Sequence, residues 1–343
     1  MNEMNRRIGI TTVLVTLILI SIVFADILNY YGRIVATIIV LESPKWIQTT
    51  YEDFNAGIKT NVVITNIDNG EVELAKTVSL DQSQTLEDKD SGKIELNKYE
   101  AQTFIAGKTG KLVSVIIKAK KGQDGNNPQP LVVELRNVDG GKPGSTILAS
   151  AEIPHTNFTG SDKEYNFTFS TPPDVIAGTS YAIVIRQKSR GTADYKIRIK
   201  DKGNFYPDGA RFKSDDGGST WTEQANDDIY FKTYVESYAT SGVFESQAFD
   251  SNSASTKWKK LYWDADIPTG TSLKFQLATN NDGITWNFVG PDGSSSTYYT
   301  TSDSDIWSGH DNTRYIKFKA FFETTNATIT PVLKEVIIFY LSD

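Results

Sequence analysis

Few side chains in this sequence could do chemistry, and most of them are carboxylates. The stretch SDDGGSTW, Ser214 to Trp221, sets Asp215 and Asp216 in a glycine turn. Two carboxylates at a defined separation could hydrolyse a glycosidic bond, one as acid and the other as base or nucleophile. With 42 acidic residues in the chain some pair is always available, so that signal selects nothing. Nucleophilic catalysis finds less support. There is no cysteine, and the two histidines, His155 beside Pro154 and His310 in SGHDN, lie near no G-x-S-x-G elbow. Both read as solvated loop residues. Calcium is the better metal, because Asp215 with Asp216, Asp303 with Asp305, and Asp250 beside Ser251 and Asn252 place oxygen ligands in tight loops. No run follows the EF-hand spacing, and ordinary Asx turns account for the same residues. No organic cofactor is implied.

Ser214, Asp216, Gly218, Thr220 and Trp221 fit the pattern S-x-D-x-G-x-T-W, so the stretch resembles the Asp-box of sialidases and other sugar-cleaving propellers. Those proteins carry several copies, with an arginine cluster, a tyrosine nucleophile and its acidic partner. Here there is one full copy, and NNDGITW, Asn280 to Trp286, is one residue short of a second. The residues therefore read as a structural turn in which Ser214 and Asp216 bond the turn's own backbone, Gly217 and Gly218 permit positive φ, and Trp221 packs beneath. Fold likeness does not carry function, and no catalytic residue is assigned. The chain is not expected to be an enzyme.

Aromatic residues offer a different chemistry. Trp258, Trp263, Trp286 and Trp307, with Tyr298 and Tyr299, gather in the C-terminal third, where exposed rings could stack on sugars. Trp263 lies in an alternating strand and is expected to be buried. Trp307, in SDIWSGH, is the tryptophan least embedded in a strand pattern, so Trp307, Tyr298 and Tyr299 are the glycan-contact candidates. Asn157, Asn166 and Asn326 head N-x-[ST] acceptors and would be surface glycosylation sites in a suitable host.

The elements that position these groups are β-strands. At 343 residues the chain is long enough for more than one core, and its short apolar runs are separated by Ser, Thr, Asn, Asp and Gly. A net charge of −7 without a basic block beyond the N-terminus argues against nucleic acid as a partner. The uncharged run from Ile8 to Ala25, after Arg6 and Arg7, is near the lower length that spans a bilayer. It would serve as a signal peptide cleaved near Val23-Phe24-Ala25, a prepilin leader cut at Gly9, or an uncleaved anchor. All three export the remainder. IVATIIVL, Ile34 to Leu41, is rich in β-branched residues and favours a strand over a continued pilin-like helix.

The expected organisation is a hydrophobic signal or anchor segment (1–32), a β-rich connector (33–98) and two antiparallel β-sandwiches (99–237 and 238–343), an all-β, jelly-roll-like tandem. In the connector GEVELAK (70–76) and GKIELNK (92–98) read as strands, and the acidic SLDQSQTLEDKDS between them as an exposed loop. GGKPGS (140–145), LAS, YNFTF, AGTSYAIVI, DDGGSTW and DDIYFKTY together resemble an extracellular β-sandwich known as a choice-of-anchor domain. Residues 241–343 are similar to jelly-roll modules of the discoidin and carbohydrate-binding kind. The resemblance implies a cell-surface or extracellular protein for adhesion or assembly, held by the membrane or self-assembled into filaments, with glycans as an alternative ligand and an extracellular glycosidase as the weakest reading.

Overall fold

The computed structural model describes residues 44–95, 97–122, 129–189 and 193–342. The N-terminal segment and the Ile34 to Leu41 run lie outside them. Among the described residues no helix is long and apolar enough to cross a membrane. The architecture is all-β, four antiparallel sheets that close around two large cores.

Strict alternation explains the clearest strands. In Tyr195–Lys200 the side chains of Tyr195, Ile197 and Ile199 point into a core, and Lys196, Arg198 and Lys200 point out. Tyr315–Thr324 does the same over ten residues, burying Ile316, Phe318, Ala320 and Phe322. Period-two patterns of this kind put one face of each strand in the core.

The two sandwiches are nested rather than sequential. One is made from both ends of the described chain and is called the parent here. Its first sheet runs, in spatial order, Ser304–Asp305, Lys257–Asp266, Val332–Leu341, Glu71–Leu74 and Val62–Thr65, with Lys45–Gln48 also paired to Val332–Leu341. Its second runs Ile58–Thr60, Ser241–Glu245, Tyr315–Thr324 and Phe249–Asp250, with Thr271–Asn280 also on Tyr315–Thr324. Trp263 packs on Phe275 at 4.5 Å across the core between them.

Between Leu74 and Ser241 the chain leaves to build the second sandwich, the insert. One insert sheet orders Lys142–Ile153, Leu131–Asp139, Ser180–Gln187, Tyr99–Ile105, Arg211–Ser214 and Thr222–Gln224. The other is centred on Gly110–Lys121, flanked by Tyr195–Lys200 and Phe231–Tyr238, with Lys76–Gln84 beyond the latter. Phe104 and Phe231 meet across this core at 6.1 Å. Departure and return lie side by side, since Ala239 N donates to Ala75 O at 2.9 Å.

The stretch expected to be a connector is therefore shared out. Its first four strands belong to the parent and its later ones to the insert. GEVELAK forms a strand at Glu71–Leu74, whereas GKIELNK contributes only an isolated bridge from Ile94 to Tyr195. The acidic stretch between them is not a loop: Lys76–Gln84 is a nine-residue strand paired with Phe231–Tyr238. It escapes periodicity because it is an edge strand with water on most of its surface. The acidic residues after it are fixed by charge, with Asp90 between Arg198 and Lys120, each at 2.8 Å, and Asp88 on Lys200 at 2.7 Å. Pro143-Gly144 lies inside an edge strand, next to a register shift, while Gly140 and Gly141 at φ 56° and 80° make the turn.

Candidate functional site

The Asp-box residues close the hairpin between Arg211–Ser214 and Thr222–Gln224. Asp216 Oδ1 accepts from Ser214 Oγ at 2.7 Å and from the backbone N–H groups of Ser219 and Thr220 at 3.0 and 2.9 Å. Its Oδ2 accepts from Thr220 Oγ1 at 2.6 Å, and Ser214 Oγ accepts from Gly218 N at 2.8 Å. These bonds, chiefly from the Thr220 hydroxyl and amide, hold the Asp216 carboxyl down to about 2. Gly217 and Gly218 take φ of 77° and 88°. Trp221 lies below the turn against Ala101, Ala182, Val184 and Phe212, on the outer face of the sheet. Beside the turn, Arg136 Nε and Arg186 Nε each donate to Glu134 at 2.7 Å. Arg136 and Glu134 are buried, and both guanidiniums are engaged by the one Glu134 carboxylate.

The short second copy folds the same way. Asp282 Oδ1 accepts from the N–H groups of Ile284 and Thr285 at 2.8 and 2.9 Å, and Asn280 Oδ1 accepts from Gly283 N at 2.7 Å. This turn delivers Trp286 to the outer face of the parent's second sheet.

The calcium candidates already have partners. Asp216 spends both oxygens on its turn. Asp250 is gripped by Arg314 through two bonds of 2.8 Å, and Lys260 lies 3.1 Å from Asp303 and 4.0 Å from Asp305. Asp215 is exposed, beside Asp216. Among the described residues no three His, Asp or Glu side chains gather as a metal would need.

Two sequence expectations are corrected. The histidines are not solvated: His155 packs edge-on to Tyr195 at 5.1 Å, and His310 is 3% exposed beside Trp307. Each ring folds under a short 3-10 turn onto an aromatic neighbour, which loop composition does not reveal. Burial pushes the His310 ring down to about 4. Its Nδ1 meets Thr279 Oγ1 at 2.9 Å, and Nε2 has no hydrogen-bond partner among the described residues.

Second, one of the three glycan candidates, Tyr299, is a core residue, and Trp307 and Tyr298 are half-buried. Tyr299 is 1% exposed and pairs with Phe275 in the core. Trp307 is wedged at two glycines; a Cβ on Gly293 would come within 2.5 Å of its ring and one on Gly309 within 2.2 Å. Tyr298 is half-buried, edge-on to Phe321 at 5.1 Å with Lys274 over its face at 4.7 Å. Trp258 and Trp263 are buried. The three N-x-[ST] asparagines, Asn157, Asn166 and Asn326, are all exposed, and Asn326 Oδ1 accepts from Thr328 Oγ1 at 2.9 Å.

What sequence reasoning passed over is the groove at Trp286. Chain 281–300 crosses the sheet's outer face and lays Trp286 beneath Lys317 (5.0 Å to the ring centre) and Phe288 beneath Lys319 (4.0 Å). Glu245 bridges both lysines, at 2.9 and 3.2 Å. Beside the indole an open groove of about 380 Å³ is lined by Gly57, Ile58, Gln247, Ala248, Trp286 and Lys317. The signal was present, because NNDGITW places its tryptophan after the turn threonine as SDDGGSTW does.

No protein-family model matches the chain, and no curated protein matches it. Among solved structures, a presumed secreted protein from Parabacteroides distasonis shares 7% identity, over 86% of this chain and 99% of its own, with a TM-score of 0.22. The structure of infectious bursal disease virus, Gx strain, shares 9% identity over 82% of this chain and 72% of its own, with a TM-score of 0.20. Overlaps this loose set neither a fold family nor a function.

Proposed function

We propose that this chain is an exported cell-surface protein that serves adhesion or assembly, with an N-terminal apolar segment that tethers it to a membrane or joins it into filaments. The observation that carries the reading is how deeply the start of the described chain is built in. Lys45–Gln48 pairs residue for residue with Val336 to Phe339, and Trp46 stacks on Phe249 at 5.2 Å, so the start of the described chain is part of the parent core itself. Exposed N-x-[ST] acceptors and nested sandwiches without cysteine agree with a displayed module. The reading gives the chain no catalytic role. Surface labelling of intact cells with an antibody to the insert tests it, together with N-terminal sequencing of the mature protein and electron microscopy. Labelled surface or filaments are expected, with filaments lost on deleting residues 34–41 if that run pairs with a neighbour. Confinement of the protein to the cytosol would overturn the reading.

A further inference from the structure

We propose that the groove beside Trp286 binds an acidic sugar of the uronic-acid class, the edge of the indole packing against the pyranose and the Lys317 ammonium, which lies over the ring, taking the carboxylate. The argument rests on this groove and not on the adhesion reading. Three features converge there. First, an open groove of about 380 Å³ brings Trp286, Lys317 and Gln247 to one place on the surface. Second, its apolar surface is conspicuous for a chain region facing water. Trp286 is only half-buried, and Ile58 in the wall is 61% exposed. An aromatic edge with an apolar flank suits the C–H face of a sugar ring.

Third, the charge has a sign. Lys317 and Lys319 share the single carboxylate of Glu245, so this trio carries a surplus positive charge in a chain whose net charge is −7. Burial opposes ionisation of Glu245, yet its hydrogen bonds to the two lysines outweigh that and hold its carboxyl below the usual range. One surplus ammonium matches one carboxylate per sugar, whereas a densely sulfated chain would need several cations. Lys317 already lies over the indole, so a sugar on the ring's edge and its carboxylate on the ammonium fall within one pyranose of each other. The Gln247 amide, which donates to Ala56 O at 3.3 Å, lines the same groove and offers its carbonyl oxygen to a sugar hydroxyl.

The test is calorimetric titration of the full chain in detergent with trigalacturonic acid, maltotriose and a sulfated chondroitin oligosaccharide. Wild type should bind the uronate most tightly. Trp286→Ala should weaken that binding about tenfold, the equivalent of one good ring contact. Lys317→Gln should weaken the uronate by a similar factor while leaving maltotriose unchanged, and Trp307→Ala should change neither. Failure of wild type to bind the uronate, equal affinity for maltotriose, tighter binding of the sulfated probe, or unchanged binding by Trp286→Ala each overturns the proposal. Should Trp286→Ala not fold, Lys317→Gln and quenching of indole fluorescence by the uronate decide the matter alone, and absence of both effects counts against it. Surface display is read by labelling, so either claim can fail without the other.

Discussion

The buried ring of His310 makes stability depend on pH in a window set apart from most carboxylates. Unfolded, the ring titrates near 6.5; folded, it is pushed down to about 4 by burial. Between those values the unfolded state takes up a proton that the folded state refuses, so stability falls as the solution is acidified. The contribution is fully present above about pH 6.5 and fully lost near pH 4. At about 1.4 kcal/mol for each pH unit, the loss comes to about 3 kcal/mol, a large share of a typical domain's stability. Urea unfolding of wild type and His310→Gln across this window separates the ring from other groups, because a glutamine can still bond Thr279 but cannot titrate. The difference between the two proteins should shrink by about 3 kcal/mol as the pH falls. Proton NMR supplies an independent reading, since only His155 and His310 give imidazole signals. A His310 signal that titrates near 6.5 in the folded protein, or equal pH dependence of the two proteins, refutes the reasoning.

The nesting predicts that the insert is separable: residues 76–238 expressed alone should unfold cooperatively, and joining Ala75 directly to Ala239 should leave the parent folded, as judged by circular dichroism and melting; aggregation of both pieces would show the cores to be interdependent. Asp216→Ala removes the acceptor for four donors, two backbone amides and two hydroxyls, so the melting temperature should drop with no glycoside turnover in either protein; sialoside hydrolysis by wild type that this variant loses while still folded would reverse the reading of the turn. Trp307→Ala leaves a void at Gly293 and Gly309 and should also lower the melting temperature, by calorimetry, where a free sugar platform would leave it unchanged.

Legibility in the sequence tracked how much of each element one strand could show by itself. Tyr195–Lys200 and Tyr315–Thr324 are legible because one face of each is buried and the alternation is long, and Ser180–Gln187, buried on both faces, is legible as a continuous apolar run. Lys76–Gln84 was unreadable because its stability comes from backbone pairing at an edge. The nesting was invisible for another reason. Val62–Thr65 and Glu71–Leu74 are too short to announce a domain, and Val72 finds its partner at Leu333. At the sites, the turn around Asp216 is legible because its hydrogen bonds are all local. Whether Tyr299, Trp307 or Trp286 faces water depends on what folds over it, and only the packed chain answers that.

The position of the parent's early strands also sets an order in time. Val62, Val72 and Leu74 are buried in the finished molecule, yet the strand that covers them lies 261 residues further on, counting from Val72 to Leu333. At about 5 to 20 residues per second of synthesis, that is a wait on the order of 10 to 50 s. The insert, whose strand pairings all lie within its own span, can close during that interval. Until the last strand arrives the parent's first hairpin holds exposed apolar edges, so a cell that makes this protein must keep residues 45–74 from pairing with a neighbouring copy for tens of seconds.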